Sequence, residues 1–201
     1  MSKVLYIKAN VKPAGKSKTF QVADHFIEQY KKSNPEDEII TLDLYEEKVD
    51  FLTGEDIAAV FGQKTEESKN HPILKYAYQF LAADKYVVAA PFWNLGLPAI
   101  LKAYLDYICI TGITFKYTES GPVGLCQGKK AVHIVSRGGN YMEGPATGFE
   151  MGDRYLRVLF GFLGITDFST IAIEGVDIIG VDVEKLMNKA LKSADELALA
   201  F

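Results

Sequence analysis

The sequence has few cysteines and no long apolar run, which excludes several classes of protein. Its two cysteines, Cys109 and Cys126, form neither a CxxC pair nor a zinc-binding spacing, so we expect no disulfide framework and no metal. No apolar run approaches the roughly 20 residues that cross a bilayer. The first residues also lack the basic flank and long apolar core of a signal peptide. We therefore expect a reduced, cytoplasmic protein with no membrane partner.

The sequence also lacks an excess of positive charge and any histidine pattern typical of a metal site. Its 22 basic and 26 acidic side chains give a formal charge of −4, which repels a phosphate backbone, so we expect no nucleic-acid partner. His25, His71 and His133 do not have the spacing of metal ligands, and we interpret all three as structural. Hydrolysis is disfavoured because there is no GxSxG motif, and no motif identifies two acidic residues as a general acid and a general base.

Short β-rich runs alternate with helical periodicity along the chain. The five runs predicted to be strands cover residues 4–9, 38–43, 86–90, 130–136 and 167–174. Apolar residues recur at helical spacing in the intervals at 20–30, 73–81, 98–109 and 153–163, and again from about 182. This alternation predicts an α/β fold, a flavodoxin-like three-layer sandwich with a five-stranded parallel sheet and helices on both faces. We expect a single domain over residues 1–201.

One connection is long for a compact domain. It covers residues 111–128, and within it residues 114–118 alternate like the edge of a strand. We expect a small hairpin there that projects over the top of the sheet, where the parallel strands have their carboxyl ends.

The loop after the first strand is rich in donors for an anion. It runs from Asn10 through Lys16, Ser17, Lys18 and Thr19 into a helix, whose free first amides and positive dipole end suit a phosphate. We assign most phosphate binding to amides and hydroxyls, since an exposed ion pair contributes only roughly 0–1 kcal/mol. An ordinary helix cap flanked by surface lysines explains the same residues.

The same loop nearly matches the phosphate loop of nucleotide triphosphatases, G-x-x-x-x-G-K-[ST]. Gly15, Lys16 and Ser17 are in place, but Asn10 stands where the first glycine belongs. Pro13 removes one amide donor from the loop, and the third strand is not followed by the aspartate that would hold magnesium. This alternative is therefore disfavoured.

The segment after the third strand contains the only tryptophan. It is Pro91-Phe92-Trp93-Asn94-Leu95, and it lies where parallel sheets bind their ligands. We predict that a flat ring lies against Trp93 and Phe92 while backbone groups of Asn94 and Leu95 reach its polar edge. The alternative is that both aromatic rings seal the top of the core.

The fourth strand ends in Ser136-Arg137-Gly138-Gly139, where glycines permit close backbone approach. Amide donors at this point suit the anionic edge of a reduced flavin. An ordinary turn is the more common meaning of a glycine pair.

Taken together, these segments resemble the FMN-dependent NADH:azoreductase family of bacteria, which is one of the flavodoxin-like NAD(P)H:quinone and azo reductases. The resemblance spans the whole chain and also involves residues 114–118 (TFKYT), 121–125 (GPVGL) and 161–167 (GFLGITD). It implies FMN as cofactor, NADH or NADPH as electron donor, and a quinone or azo compound as acceptor. It further implies a two-electron exchange in which NAD(P)H leaves before the acceptor enters.

The resemblance also implies which residues form the site. The implied FMN contacts come from Asn10, Ser17, Lys18, Thr19, Pro91, Phe92, Trp93, Asn94, Leu95, Ser136, Arg137, Gly138 and Gly139. No catalytic side chain is implied, because the hydride chemistry takes place at N5 of the flavin. Tyr117 and Phe162 are similar to aromatic walls of the family's acceptor pocket.

A homodimer with each flavin near the subunit interface is implied as well. Tyr104, Tyr107 and Ile108 give the helix at 98–109 more apolar surface than one sheet face needs, which favours a dimer contact there. A helix buried within the monomer explains the same pattern. The alternative function is an FMN-holding electron carrier that does not oxidise NAD(P)H, which the extra hairpin and the apolar helix face disfavour.

Overall fold

The computed structural model describes residues 1–47 and 49–201. Its strands are β1 (Lys3–Lys8), β2 (Glu38–Asp43), β3 (Lys85–Ala89), β4 (Phe115–Thr118), β5 (Gly121–Gly124), β6 (Lys130–Ser136) and β7 (Asp167–Ile173). Its α-helices are α1 (Lys18–Ser33), α2 (Gly54–Phe61), α3 (Leu74–Ala82), α4 (Ala99–Ile108), α5 (Gly152–Phe162) and α6 (Val183–Ala200). Short 3-10 helices cover Ala14–Lys16, Glu66–Asn70 and Pro145–Phe149. The five predicted strands are confirmed to within one residue at each end, whereas α2 was not predicted.

Five strands form one parallel sheet in the order β2-β1-β3-β6-β7. Both of its faces are buried, as β1 shows: Leu5 and Ile7 lie in one core cluster, and Val4 and Tyr6 in the other. Burial on both faces explains why these strands are apolar runs rather than alternating patterns. The chain moves from β1 to β2 on one side and to β3 on the other, so a crevice opens at the carboxyl ends of β1 and β3.

Helices cover the two faces of the sheet. One core cluster contains Phe26 of α1 and Ala194 of α6. The other contains Phe80 of α3, Leu101 of α4 and Phe160 of α5. This arrangement confirms the predicted three-layer α/β sandwich.

The dimer contact predicted on α4 is wrong in its location. Tyr104, Tyr107 and Ile108 are all buried within the chain. The rings of Tyr104 and Tyr107 pack against Tyr76 of α3, with centroids 6.0 and 5.8 Å from it. Because α4 packs against α3 as well as the sheet, its surplus of apolar residues is used inside the monomer.

β4 and β5 form the predicted hairpin, with Phe115 opposite Gly124, but its predicted position over the carboxyl ends of the strands is wrong. α4 starts near the carboxyl end of β3, and its ten residues carry the chain about 15 Å towards the opposite edge of the sheet. There the segment after β5 meets the end of α5, where the Cys126 amide donates to the Leu163 carbonyl at 2.9 Å.

Neither the cysteines nor the histidines form a reactive centre in the described part of the chain. Cys109 and Cys126 are free thiols, and burial raises their pKa values to about 12 and about 11. Each histidine makes a hydrogen bond within the fold, in keeping with the structural roles predicted for them. Over residues 1–47 and 49–201, there is no group of three or more metal-ligating side chains, and no helix combines the length and apolar character that a membrane span requires.

Gly124 packs closely against the backbone that follows α5. A Cβ on Gly124 would lie 2.1 Å from the carbonyl carbon of Leu163 and 2.3 Å from the nitrogen of Gly164. We expect Gly124→Ala to lower the free energy of unfolding by at least about 2 kcal/mol, because neither backbone can yield as a side chain would. Denaturant unfolding followed by circular dichroism measures this change.

Gly161→Ala is the matched control. A Cβ on Gly161 would meet nothing within 4 Å, so alanine in this part of α5 should be neutral or stabilising. Equal stability of the two variants would contradict the steric argument.

Candidate functional site

A cavity of about 120 Å³ opens at the carboxyl ends of β1, β3, β6 and β7. Parallel strands end at a common edge, so loops from distant parts of the chain meet here. The lining residues are Asn10, Lys12, Lys16, Ser17, Lys18, Pro91, Phe92, Trp93, Ser136, Gly138, Val176 and Asp177.

The first wall of the cavity is the start of α1. The Ser17 Oγ accepts hydrogen bonds from the Phe20 amide at 3.2 Å and from the Asn10 side-chain amide at 2.8 Å. The hydroxyl hydrogen of Ser17 is therefore left to donate elsewhere. The amides of Lys18 and Thr19 have no partner within the helix, because they belong to its first turn. Ser17 is thus an ordinary helix cap, as the alternative interpretation held, and the same geometry leaves donors for an anion.

A pair of hydroxyls ties this wall to β6. The Thr19 Oγ1 and the Ser136 Oγ are 2.8 Å apart, and the Thr19 side chain is fully buried. The Thr19 hydroxyl therefore bonds inside the protein rather than lining the cavity. Its predicted contact with a cofactor depends on its backbone amide.

The second wall of the cavity is the loop after β3, which ends in a strained turn. Trp93 and Gly96 exchange backbone hydrogen bonds of 3.1 and 2.9 Å, and Asn94 and Leu95 between them have φ angles of 49° and 67°. Two positive φ angles define a type I′ turn, which asparagine tolerates and leucine rarely adopts. The Leu95 carbonyl accepts from the Met151 amide at 3.1 Å, which fixes the turn against the start of α5. The amides of Asn94 and Leu95 have no partner among the described residues.

Two aromatic side chains stand at this wall. Phe92 and Trp93 are half-buried and belong to neither core cluster, so they do not seal the core. The Phe92 ring lies 4.7 Å from that of Tyr141 at an angle of 55°. The Phe92 amide donates to the Ser136 carbonyl at 3.1 Å, which holds the loop after β3 beside the end of β6.

The third wall is formed by the loops after β6 and β7, which pair with each other. The Asp177 amide donates to the Gly138 carbonyl, and the Val176 amide to the Arg137 carbonyl, both at 3.1 Å. A Cβ on Gly138 would lie 2.6 Å from the Asp177 Oδ2. Gly138 is therefore required for close approach of the two loops, which is more than the ordinary turn that a glycine pair usually marks.

The Arg137 side chain turns into the protein, away from the cavity. It is only 2% exposed, and its guanidinium lies 3.0 Å from Glu174 and 3.2 Å from Glu150. Glu150 also accepts hydrogen bonds from the first amides of α5, and Glu174 from two amides after the glycine pair. Arg137 is thus paired with two carboxylates inside the protein, so its predicted flavin contact depends on its backbone alone.

The structure brings most of the predicted cofactor residues together. Those that line the cavity are Asn10, Ser17, Lys18, Pro91, Phe92, Trp93, Ser136 and Gly138. Those that do not are Thr19, Asn94, Leu95, Arg137 and Gly139. Sequence reasoning missed Lys12, Val176 and Asp177. The last two follow the fifth predicted strand, and its position at the same sheet edge was a signal for including them.

Tyr117 and Phe162, predicted as walls of an acceptor pocket, lie elsewhere. Their rings pack on either side of Phe115, at centroid distances of 5.5 and 4.8 Å, and Tyr117 is 72% exposed. α5 begins at Gly152, where a Cβ would lie 3.3 Å from the Phe92 ring, and its eleven residues place Phe162 about 15 Å further along. Neither residue lines the cavity of its own chain.

The doubly wound sheet and a cavity at its switch point define a flavodoxin-like protein. A family model described as a flavodoxin-like fold matches residues 2–198, and the chain belongs to that family. It is 65% identical over 201 residues to a protein of Clostridium acetobutylicum named FMN-dependent NADH:quinone oxidoreductase 2, and both chains are covered completely. A Clostridium perfringens protein named FMN-dependent NADH:quinone oxidoreductase is 62% identical with the same coverage.

Solved structures agree with these relatives. An azoreductase from Bacillus anthracis str. Sterne superposes with a TM-score of 0.91 at 38% identity and covers 100% of both chains. An FMN-dependent NADH-azoreductase from Bacillus anthracis str. Ames Ancestor, in complex with FMN, gives a TM-score of 0.88 at 31% identity and covers 98% of both. These comparisons confirm the family resemblance that the sequence motifs indicated.

The close approach of Gly138 and Asp177 can be tested by mutation. We expect Gly138→Ala to lower the free energy of unfolding by about 1 kcal/mol, because the new methyl group displaces a carboxylate that can move only partly. Adding Asp177→Ala removes the clash, so the double variant should recover stability relative to Gly138→Ala. Thermal and denaturant unfolding of the four members of this cycle measure the coupling.

Gly148→Ala serves as the control, since a Cβ there would meet nothing within 4 Å. Additive effects of Gly138→Ala and Asp177→Ala would show that the two residues do not constrain each other.

Proposed function

We propose that the protein is an FMN-dependent oxidoreductase that passes two electrons from NADH or NADPH to quinones and azo compounds. The observation that carries this proposal is a single cavity that joins the donors at the start of α1 with Trp93 and the adjacent turn. One end suits a phosphate, and the other suits a flat ring with a polar edge. FMN has both parts, and the names of the relatives support the same chemistry.

The phosphate end is supported by the donors of α1. The Ser17 hydroxyl and the amides of Lys18 and Thr19 stand at the positive end of the helix dipole, which favours an anion. Lys12 and Lys16 line the same space. Both lysines are exposed, so their attraction weakens with salt, and the amides and the hydroxyl supply most of the binding.

The ring end is supported by Trp93 and by the free amides of Asn94 and Leu95. The indole lines the cavity and offers an apolar surface. The adjacent turn does not line the cavity, but its two amides lie in fixed positions next to Trp93, where a ring that extends beyond the cavity would present its polar edge. A cavity of about 120 Å³ is smaller than the roughly 300–1,000 Å³ of a pocket that encloses its ligand. A cofactor held here keeps part of its ring uncovered, as a nicotinamide or a quinone would need in order to stack on it.

In this proposal the chain binds and orients FMN, and FMN supplies the redox chemistry. When bound, FMN supplies the redox chemistry by accepting hydride from a nicotinamide and returning two electrons to an acceptor. The start of α1 would hold the phosphate, and Trp93 with the turn at 93–96 would orient the ring.

The visible spectrum of the purified protein tests this proposal. Protein reconstituted with FMN should be yellow, and NADH should bleach the flavin band within seconds, with recovery when a quinone is added. Stopped-flow absorbance under anaerobic conditions measures both half-reactions, and free FMN at the same concentration is the control.

Two other results would point elsewhere. Flavin that NADH and NADPH leave oxidised, but that dithionite reduces, would favour the electron carrier. Failure to bind FMN at all would contradict both functions.

We also propose that the protein is a homodimer whose interface includes α5. Met151, Tyr155, Val158 and Phe162 follow one another at spacings of four, three and four residues, and together they form an apolar stripe on this helix. A groove of about 520 Å³, which includes Leu97, runs along the first three of them. A second copy would cover the stripe, and it would let Phe162, which is remote from its own cavity, contribute to the acceptor pocket of the partner.

A charge on the stripe should separate the two copies. Val158 is 68% exposed in the single chain. We expect Val158→Glu to raise the dimer dissociation constant at least about 100-fold, because each copy would lose a valine that the interface buries and would have to desolvate a carboxylate instead. Sedimentation velocity across a concentration series measures this. Leu199→Glu, at an exposed apolar position on α6, is the matched control and should leave the dimer intact. A monomeric wild-type protein would contradict the homodimer.

The chain also supports the proposal of one functional unit over residues 1–201. The sheet takes strands from both ends of the described chain, and Phe201 packs against Phe26 of α1 with ring centroids 5.3 Å apart. The cytoplasmic location remains part of this proposal, and the free thiols of Cys109 and Cys126 are compatible with it.

A further inference from the structure

A negatively charged side chain lines the cavity that is proposed to hold an anionic cofactor. Asp177 is exposed at the cavity wall, and its Oδ2 lies where it would be 2.6 Å from a Cβ on Gly138. Its carboxylate has no ion pair or hydrogen bond with any described residue, although Lys12, Lys16 and Lys18 line the same cavity. An uncompensated charge at this position is unexpected if the cavity serves only to attract an anion.

Hydrogen bonds between two loops fix the backbone of Asp177 beside the cavity. The Asp177 amide donates to the Gly138 carbonyl, and the preceding residue, Val176, donates to the carbonyl of Arg137. The Arg137 side chain is in turn held between Glu150 and Glu174. The backbone of Asp177 is thus held next to the glycine loop, so its side chain starts from a fixed point at the cavity wall.

We propose that Asp177 lowers the reduction potential of bound FMN by disfavouring its reduced, anionic form. This inference rests on the proposed function. Two electrons and one proton convert oxidised FMN to that form, so the bound cofactor gains one negative charge. A carboxylate at the cavity wall repels the added charge and therefore disfavours the reduced form. A lower potential makes the reduced cofactor a stronger donor to quinones and azo compounds.

The test compares the two redox forms rather than the turnover rate. In FMN-loaded Asp177→Asn, which keeps the size of the side chain and removes its charge, the ratio of dissociation constants for oxidised and reduced FMN should rise about tenfold. For a two-electron couple this corresponds to a midpoint potential about 30 mV more positive than in the wild type. Reductive titration against reference dyes gives the potential, and fluorescence titration gives the affinity for oxidised FMN.

Two further variants separate charge from shape. Asp177→Glu keeps the charge and should stay near the wild-type potential. Glu36→Gln removes one exposed charge at the start of β2, at the opposite edge of the sheet, and should leave the potential unchanged. Raising the ionic strength should reduce the difference between Asp177→Asn and the wild type.

An Asp177→Asn potential equal to or below that of the wild type would overturn the inference. So would equal weakening of both redox forms, which would make Asp177 a contact that does not sense the charge of the cofactor. In either case a wild-type protein that binds FMN and reacts with NADH leaves the proposed function standing. A wild-type protein that binds no FMN overturns the proposed function and this inference with it.

Discussion

Everything at the candidate site depends on the parallel pairing of β1, β3, β6 and β7. This pairing brings four carboxyl ends to one edge and leaves each following loop to turn over that edge. The loops are then joined by a few specific bonds, such as the hydroxyl pair between Thr19 and Ser136 and the amide of Phe92 on the carbonyl of Ser136. Ser136 therefore links the first two walls of the cavity, and its place at the end of β6 makes this possible.

Recognition at this site is mainly a property of the backbone. The amides at the start of α1, the turn at Asn94 and Leu95, and the glycine loop after β6 present donors whose positions are set by φ angles and strand ends. Backbone donors are already ordered before a ligand arrives, so little conformational entropy is lost on binding. The backbone strain at Leu95, about 1–3 kcal/mol, is one cost of holding these donors in place before a ligand binds.

The sequence predicted the sheet well because burial on both faces leaves a local signal, a run of apolar residues such as Val87 and Val88. It predicted the cavity loops because they follow directly from the strand ends. Non-local features were less accessible. The direction of the Arg137 side chain depends on carboxylates at 150 and 174. The surplus apolar residues of α4 and α5 look alike in the sequence, and only the structure shows that Tyr76 of α3 packs against those of α4. Asp177 follows the fifth predicted strand, which was a signal for the correct sheet edge, but the pairing of its loop with the one after β6 is a non-local contact that the sequence does not show.

The cluster of Arg137, Glu150 and Glu174 has a consequence for how the protein assembles. Each member comes from a different segment: the loop after β6, the turn that starts α5, and the end of β7. Removing Arg137 would leave two largely buried carboxylates without their cation, at a cost of about 3–5 kcal/mol. The three segments that carry Arg137, Glu150 and Glu174 therefore fold and unfold together, so this side of the cavity does not unfold one residue at a time.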